Sequence, residues 1–177
     1  MKLKIKVKIF PGNTKIELSE KGDLIDLRAA ENITMMAPYA NALHKSKNEK
    51  YRFVDFDRAV IPLGVAMQLP KGFKANVYAR SSINKKDGNF QVILNNGVGQ
   101  IDNSYCGPND QWFMSVMCVG KVEVEKGDRI CQFEIVPSMK ATVWQKLKWL
   151  FSSGVELVFV DELENPDRGG YGSTGVK

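Results

Sequence analysis

KLKIKVKI, residues 2–9, decides the fold class. Lysine fills every even position (Lys2, Lys4, Lys6, Lys8) and an aliphatic residue every odd one (Leu3, Ile5, Val7, Ile9). A period of two sets the lysines on one face of an extended segment and the aliphatics on the other, which is a half-buried β-strand. A solvent face made of lysine blunts edge-to-edge pairing. Pro11-Gly12-Asn13 then turns the chain.

The same pattern recurs downstream. VIPLGVAMQLP (60–70) runs into the turn Pro70-Lys71-Gly72, and FKANVYA (73–79) sets Phe73, Ala75, Val77 and Ala79 on one face. FQVIL (90–94), WFMSVMCV (112–119), VEV (122–124), ICQFEIV (130–136) and VELVFV (155–160) follow. Many short strands separated by Gly and Pro predict an all-β sandwich or barrel. Two segments break the rhythm. Residues 36–58 are polar and mixed, with the charged run HKSKNEK at 44–50, and read as an inserted loop or arm. TVWQKLKWLF (142–151) has apolar residues at i, i+3/i+4 and i+7, which predicts one short amphipathic helix with Thr142 as N-cap. Its apolar side is expected to pack on the β-core. The other reading is a partner-binding arm with Lys140, Lys146 and Lys148 on its outer face.

Composition narrows the function classes. A chain of 177 residues with 44% hydrophobic and 25% charged residues suits one soluble domain. No apolar run approaches the roughly 20 residues of a membrane span. The lysine-studded start is not a signal peptide, so the cytosol is the expected compartment and no membrane partner is expected. The net charge of +5 is weak evidence for nucleic acid and suits a small polyanion such as a nucleotide. Cys106, Cys118 and Cys131 are widely spaced and odd in number, which is neither a disulfide framework nor a zinc site. The lone His44 sits in a polar stretch, so carboxylates or backbone groups are the expected chemical workers.

Five stretches interrupt strand-forming sequence with small polar residues. In GDLIDLRA (22–29), Asp26 points opposite to Ile25 and Leu27; a strand-end carboxylate paired with a nearby Lys is its plainest reading. ARSSINKK (79–86) offers the planar fork of Arg80 and the hydroxyls and N–H groups of Ser81 and Ser82 to an anion, or is a plain turn. NNGVGQIDNSYCG (95–107) combines Gly97 and Gly99, which let backbone approach a ligand, with Asp102 at the base of a pocket and Tyr105 against a sugar. Asn, Gly and Asp also build ordinary tight turns. In KGDRICQFEIV (126–136), Gln132 interrupts an apolar face. The tail DRGGYGSTGVK (167–177) has four glycines among its eleven residues, with an arginine and hydroxyls between them. These are ingredients of a phosphate wrap, although the spacing does not match a P-loop.

Together, and in this order, the five stretches resemble the trimeric-type dUTPases (deoxyuridine triphosphate nucleotidohydrolases), in the branch found in Gram-positive bacteria and their phages. The resemblance covers residues 22–175 and rests on R-S-S, I-D-x-x-Y, G-D-R-I-x-Q and G-G-[aromatic]-G-S-T-G. It implies a distorted β-barrel or jelly-roll-like core over 1–166, with inserts near 36–58 and 140–153. A glycine-rich lid over 167–177 would be ordered only around bound nucleotide. It also implies hydrolysis of dUTP to dUMP and pyrophosphate with Mg²⁺, in a homotrimer with shared sites. Asp102 would activate the attacking water, and Tyr105 would pack on the deoxyribose and exclude a ribose 2′-OH. Asn96 and Gly97 would belong to the uracil-reading hairpin. Arg80, Ser81, Ser82 and Gln132 would serve the phosphates, with Arg80 supporting a subunit junction. Asp26 would hold Mg²⁺ through water, and Arg168, Gly172, Ser173 and Thr174 would grip the γ-phosphate end. Tyr171, where the family usually has Phe, would stack over uracil, with Phe113 its rival. Asp23-Leu24 and Cys106 also depart from the common pattern.

Two rivals accompany this reading. A dCTP deaminase shares the fold but would carry a glutamate in the strand after Asp102, and WFMSVMCV has no carboxylate. A phage protein that binds a repressor through inserted segments would use the 36–58 insert and the Trp-rich helix, alongside catalysis or in its place.

Overall fold

The structure is a computed structural model that describes residues 1–19, 21–36, 43–44, 53–54, 56–83 and 89–170, with backbone pairing alone for 43–44 and 53–54. Thirteen strands and one helix are described: β1 (Leu3–Ile9), β2 (Ile25–Arg28), β3 (Ile33–Met35), β4 (Leu43–His44), β5 (Phe53–Val54), β6 (Arg58–Pro62), β7 (Val65–Gln68), β8 (Phe73–Ala79), β9 (Phe90–Leu94), β10 (Gly99–Ile101), β11 (Phe113–Val124), β12 (Arg129–Pro137), α1 (Val143–Leu150) and β13 (Val155–Phe159). They form sheets of order β13-β1-β7, β10-β8-β12-β2 and β3-β11-β6, with β9 also on β11, and a two-stranded β4-β5 ribbon. The fold is all-β and jelly-roll-like. Among the described residues no pairing path closes on itself, so the expected barrel is a stack of open sheets.

The alternation of residues 2–9 becomes β1, with Leu3, Ile5 and Val7 buried. Its place differs from that of an edge strand. β1 lies between β7, antiparallel, and β13, parallel, so its backbone is paired on both sides. Two of its lysines have partners from the C-terminal segment: Lys8 pairs with Glu162 at 2.7 Å and Lys6 with Glu164 at 3.5 Å. With Leu163 buried between those acids, the lysine face serves as a track for the chain leaving β13.

Three expected strands are divided or joined differently. The 60–70 stretch splits at Gly64, whose φ of 66° suits glycine, into β6 and β7 in different sheets. The 112–119 and 122–124 stretches merge into β11. A register shift between Cys118 and Val122 keeps it paired with β9, the usual work of a β-bulge. A second shift, between Arg129 and Cys131 on β12, buries both Ile130 and Cys131 and leaves Arg129 facing β2. The core joins these sheets around Trp112, whose ring meets Phe133 edge-on at 5.1 Å and 77°, a favoured aromatic geometry.

α1 forms where expected. Thr142 Oγ1 accepts from the Gln145 N–H at 3.3 Å, and Gln145 Oε1 accepts from the Thr142 N–H at 2.8 Å, a capping box. Its orientation is reversed from the expectation. Gln145 lies against Gly72, in the space a Cβ there would need, while Val143, Trp144, Leu150 and Phe151 are exposed, Trp144 by 80%. In the single chain the apolar stripe faces water. At the base of the expected 36–58 insert, the Met36 N–H donates to Asp57 at 2.7 Å. Residues 37–42, 45–52 and 55 of the insert lie outside the described residues.

Candidate active site

The expected hairpin is a turn that joins β9, paired with β11, to β10, paired with β8 in another sheet, and it is fixed from behind. Asn95 Nδ2 donates to Ser115 Oγ at 3.0 Å and to the Val116 carbonyl at 3.1 Å. Gly97, at φ 65°, makes the turn, donating to the Leu94 carbonyl at 3.2 Å. That leaves Asn96 lining a cavity of about 330 Å³ together with Asp102, Tyr105, Phe113 and Arg168. Gly97 instead borders a separate hollow on the side of Tyr78 and Ile93.

Asp102 follows β10 and opens a turn in which the Tyr105 N–H donates to its carbonyl at 3.0 Å. Asn103 anchors that turn to the Leu69 and Pro70 carbonyls at 3.0 and 2.9 Å. Tyr105 donates its hydroxyl proton to the Gln111 carbonyl at 2.7 Å, so the half-buried ring is held at both ends. Asp102 Oδ2 receives Arg168 Nη1 at 3.2 Å, and 63% of the Asp102 side chain stays exposed.

Residues 167–169, expected to belong to a loose tail, are bonded to the loop after Tyr105. Asn109 donates to Asp167 from its backbone N–H and its Nδ2, both at 2.8 Å. The N–H groups of Arg168 and Gly169 both donate to Asp110. These bonds hold the Asp167 carboxyl below the usual carboxylate range, with the Asn109 bonds as the main cause and Lys8 helping. Tyr171, Gly172, Ser173 and Thr174 lie outside the described residues.

A second cluster gathers on β2, β8 and β12. Arg80 Nε donates to Asp26 Oδ1 at 2.8 Å, and Arg129 Nη1 to Asp26 Oδ2 at 3.1 Å. Arg80 Nη1 also reaches the Arg129 carbonyl at 3.2 Å and Ser82 Oγ at 3.4 Å. The Arg80 fork is thus occupied within the chain, and the half-exposed Arg129 is the more available cation. Ser81 is exposed, and Gln132 Nε2 donates across the ladder to the Ala79 carbonyl at 3.3 Å. Arg80, Ser82 and Arg129 line a cavity of about 310 Å³.

The two clusters do not meet in one chain. Asp102 follows β10 at one edge of the β10-β8-β12-β2 sheet, and Asp26 lies on β2 at the other. Three inter-strand spacings separate those edges by about 14 Å.

The thiols are poor nucleophiles. Burial pushes Cys106, Cys118 and Cys131 upward, aided at Cys106 by Asp110 and at Cys131 by Asp26. Among the described residues no three His, Cys, Asp or Glu side chains group as metal ligands. Both Asp26 oxygens accept from guanidinium groups, so direct ligation of a cation does not fit. Each oxygen retains a lone pair, so accepting from a metal-bound water does fit, and Mg²⁺ favours such water-rich shells.

Sequence reasoning missed Asn109, Asp110, Arg129 and Asp167. Gly-Pro-Asn-Asp reads as a turn, and nothing local ties it to residues 58 positions away.

These features define a jelly-roll-like β-protein whose site is built from carboxylates, arginines and backbone donors. The dUTPase family model matches residues 28–148. The chain is 42% identical, over all of both chains, to the SPbeta prophage-derived deoxyuridine 5′-triphosphate nucleotidohydrolase of Bacillus subtilis. The chain belongs to the dUTPase family. The Streptococcus mutans dUTPase shares the fold, with a TM-score of 0.57 at 21% identity over 77% of this chain and 98% of that one. So does a mutant dUTPase of Staphylococcus aureus phage phi11, described as coordinating a structural Mg(II) ion, with a TM-score of 0.57 at 15% identity over 78% and 94%. No helix among the described residues is long and apolar enough to cross a membrane.

Proposed function

We propose that the chain hydrolyses dUTP to dUMP and pyrophosphate. The observation that carries this reading is the shared cavity of Asn96, Tyr105 and Asp102, which offers a base reader, a sugar platform and an ionisable carboxylate side by side. Uracil would meet the Asn96 hairpin. The Tyr105 ring, fixed through its bond to the Gln111 carbonyl, would lie against the deoxyribose and leave no space for a 2′-OH. Asp102 would orient a water for in-line attack on the α-phosphorus and accept its proton. Positioning and charge stabilisation carry most of such a reaction, in keeping with the raised thiols.

Arg129, Ser81, Ser82 and Gln132 would bind phosphate oxygens, with Arg80 holding Arg129 and Asp26 in place. Mg²⁺ would arrive with the triphosphate and neutralise its charge, and Asp26 would accept from its water shell. Because Asp26 lies on the edge strand farthest from β10, and Arg80, Ser81 and Ser82 leave the end of β8 remote from Ala75, the partner of Ile101, a complete site draws on two chains. A closed C3 trimer repeats that junction three times. Tyr171, Ser173 and Thr174 would close over the nucleotide, with Tyr171 or Phe113 capping uracil.

Pyrophosphate release measured on dUTP, dTTP, UTP and dCTP tests the reading. Turnover of dUTP alone is expected, and equal turnover of dTTP would sink the base-reading hairpin. Ammonia release from dCTP would establish the deaminase rival instead. One observation, the outward apolar stripe of α1, favours protein docking as a second role beside catalysis. Pull-down of a candidate repressor with and without dUTP tests it, and loss of binding on replacing Trp144 and Leu150 with Glu is the expected signature.

A further inference from the structure

We propose that Asn103 is a positioning residue: it clamps the turn that carries Asp102 to the corner between β7 and β8, and so fixes where that carboxylate stands. The proposal rests on the dUTP-hydrolysing reading above, in which Asp102 orients the attacking water. Asn103 Nδ2 donates to the Leu69 carbonyl at 3.0 Å and to the Pro70 carbonyl at 2.9 Å. A side-chain amide has two donor hydrogens, and both are spent here on carbonyls 34 and 33 residues earlier in the chain.

The turn needs such a restraint. β10 has three residues and lies at the edge of its sheet, next to β8. Its last residue, Ile101, is in register with Ala75, and Asp102 comes directly after it. The turn's own backbone bond runs from the Tyr105 N–H to the Asp102 carbonyl. Short edge segments with few backbone bonds are the ones that open first. The Asp102 side chain is 63% exposed, so core packing does not fix it. The anchor is firmer than the turn. Leu69 and Phe73 are buried on either side of the corner. The Phe73 N–H donates to the Pro70 carbonyl at 3.1 Å, and the Ser138 N–H to the Gly72 carbonyl at 2.8 Å. Asn103 thus ties an exposed turn to a corner held by the core and by the segment leading into α1. Tyr105 depends on the clamp less, because its hydroxyl bonds the Gln111 carbonyl and its ring packs on the core. Loss of the clamp therefore displaces the carboxylate more than the sugar platform.

The test uses the full chain carrying Asn103→Ala, alone and together with Asp102→Asn. Without nucleotide, hydrogen exchange at the Tyr105 amide is expected to accelerate about tenfold or more while core amides of β8 and β12 hold. For dUTP, kcat is expected to fall about 10- to 100-fold, the scale of a small misplacement, while dUMP affinity holds. In the Asp102→Asn background the same change is expected to cost no more than about twofold, because a residue acting through Asp102 has nothing left to position. Asn103→Gln, which keeps the amide donors, is expected to recover part of the loss. If Asn103→Ala does not fold, Asn103→Ser decides, since serine favours turns but offers one donor hydrogen in place of two. Wild-type kcat in the variant, or an equal loss with and without the Asp102 carboxylate, overturns the proposal. A wild-type chain inert toward dUTP would sink the hydrolase reading instead, and exchange at Tyr105 would still judge the clamp.

Discussion

Tyr105 is held by its hydroxyl bond to the Gln111 carbonyl and by packing against the core, and these two restraints predict different mutant behaviour. Tyr105→Phe keeps the ring and loses one hydrogen bond, worth about 0.5–1.5 kcal/mol of stability, so the preference for dUTP over UTP should survive. Tyr105→Ala removes the wall proposed to exclude a 2′-OH, and the UTP/dUTP ratio of kcat/KM should rise. An unchanged ratio in the alanine variant would remove Tyr105 from sugar selection. Asp167 gives a pH prediction whose sign follows from its lowered carboxyl. A depressed folded value means that its contribution is present above the unfolded value, near 4, and is lost as pH falls through the folded one. Protection of the Asn109 amide, which donates to Asp167, should therefore hold from pH 5 to 8 and decay below about pH 4. Decay near pH 6 would assign the contact to another group.

Elements were legible where their cues are local. Thr142 as N-cap and the 3.6-residue apolar spacing found α1, and strict alternation found β1. Orientation was not local. A helical stripe states that one face is apolar and says nothing about which way that face turns; here Gln145 against Gly72 turns it outward. The partners of β1 lie at 65–68 and 155–159, so its interior place was hidden in distant sequence. The outward stripe predicts that replacing Trp144 and Leu150 with Glu changes folding stability by about 0.5 kcal/mol or less per site, as surface substitutions do. Thr142→Ala should cost about 1 kcal/mol by losing the cap. Denaturant melts check both. A loss of about 3 kcal/mol for the glutamate pair would mean that the stripe is buried in the assembled protein.

At the scale of the whole molecule, the five motifs were readable in order, but their division was not. Asp26 and Arg80 were each singled out, yet the ion pair joining them emerges only when β2 and β8 flank β12. That same sheet keeps Asp102 on its far edge. The division makes a prediction about mixed assemblies. Asp102→Asn removes the carboxylate proposed to activate water and should lower kcat roughly 10²- to 10⁴-fold, the scale of a lost general base. A chain carrying both Ser81→Ala and Ser82→Ala keeps Asp102 but loses the hydroxyls proposed to bind phosphate, and should fall about tenfold or more by the same yardstick for catalytic hydrogen bonds. If each site takes Asp102 from one chain and the serines from the next, an equal mixture of the two variants, dissociated and reassembled together, contains wild-type sites. Random assembly in a closed ring gives about one site in four an intact pair. The mixture should therefore recover about a quarter of wild-type turnover, well above either variant alone. Sedimentation run beside the assay confirms that both variants assemble. If the reassembled mixture shows no more than the average of its two parents, the site lies within one chain, and the proposed two-chain junction is wrong.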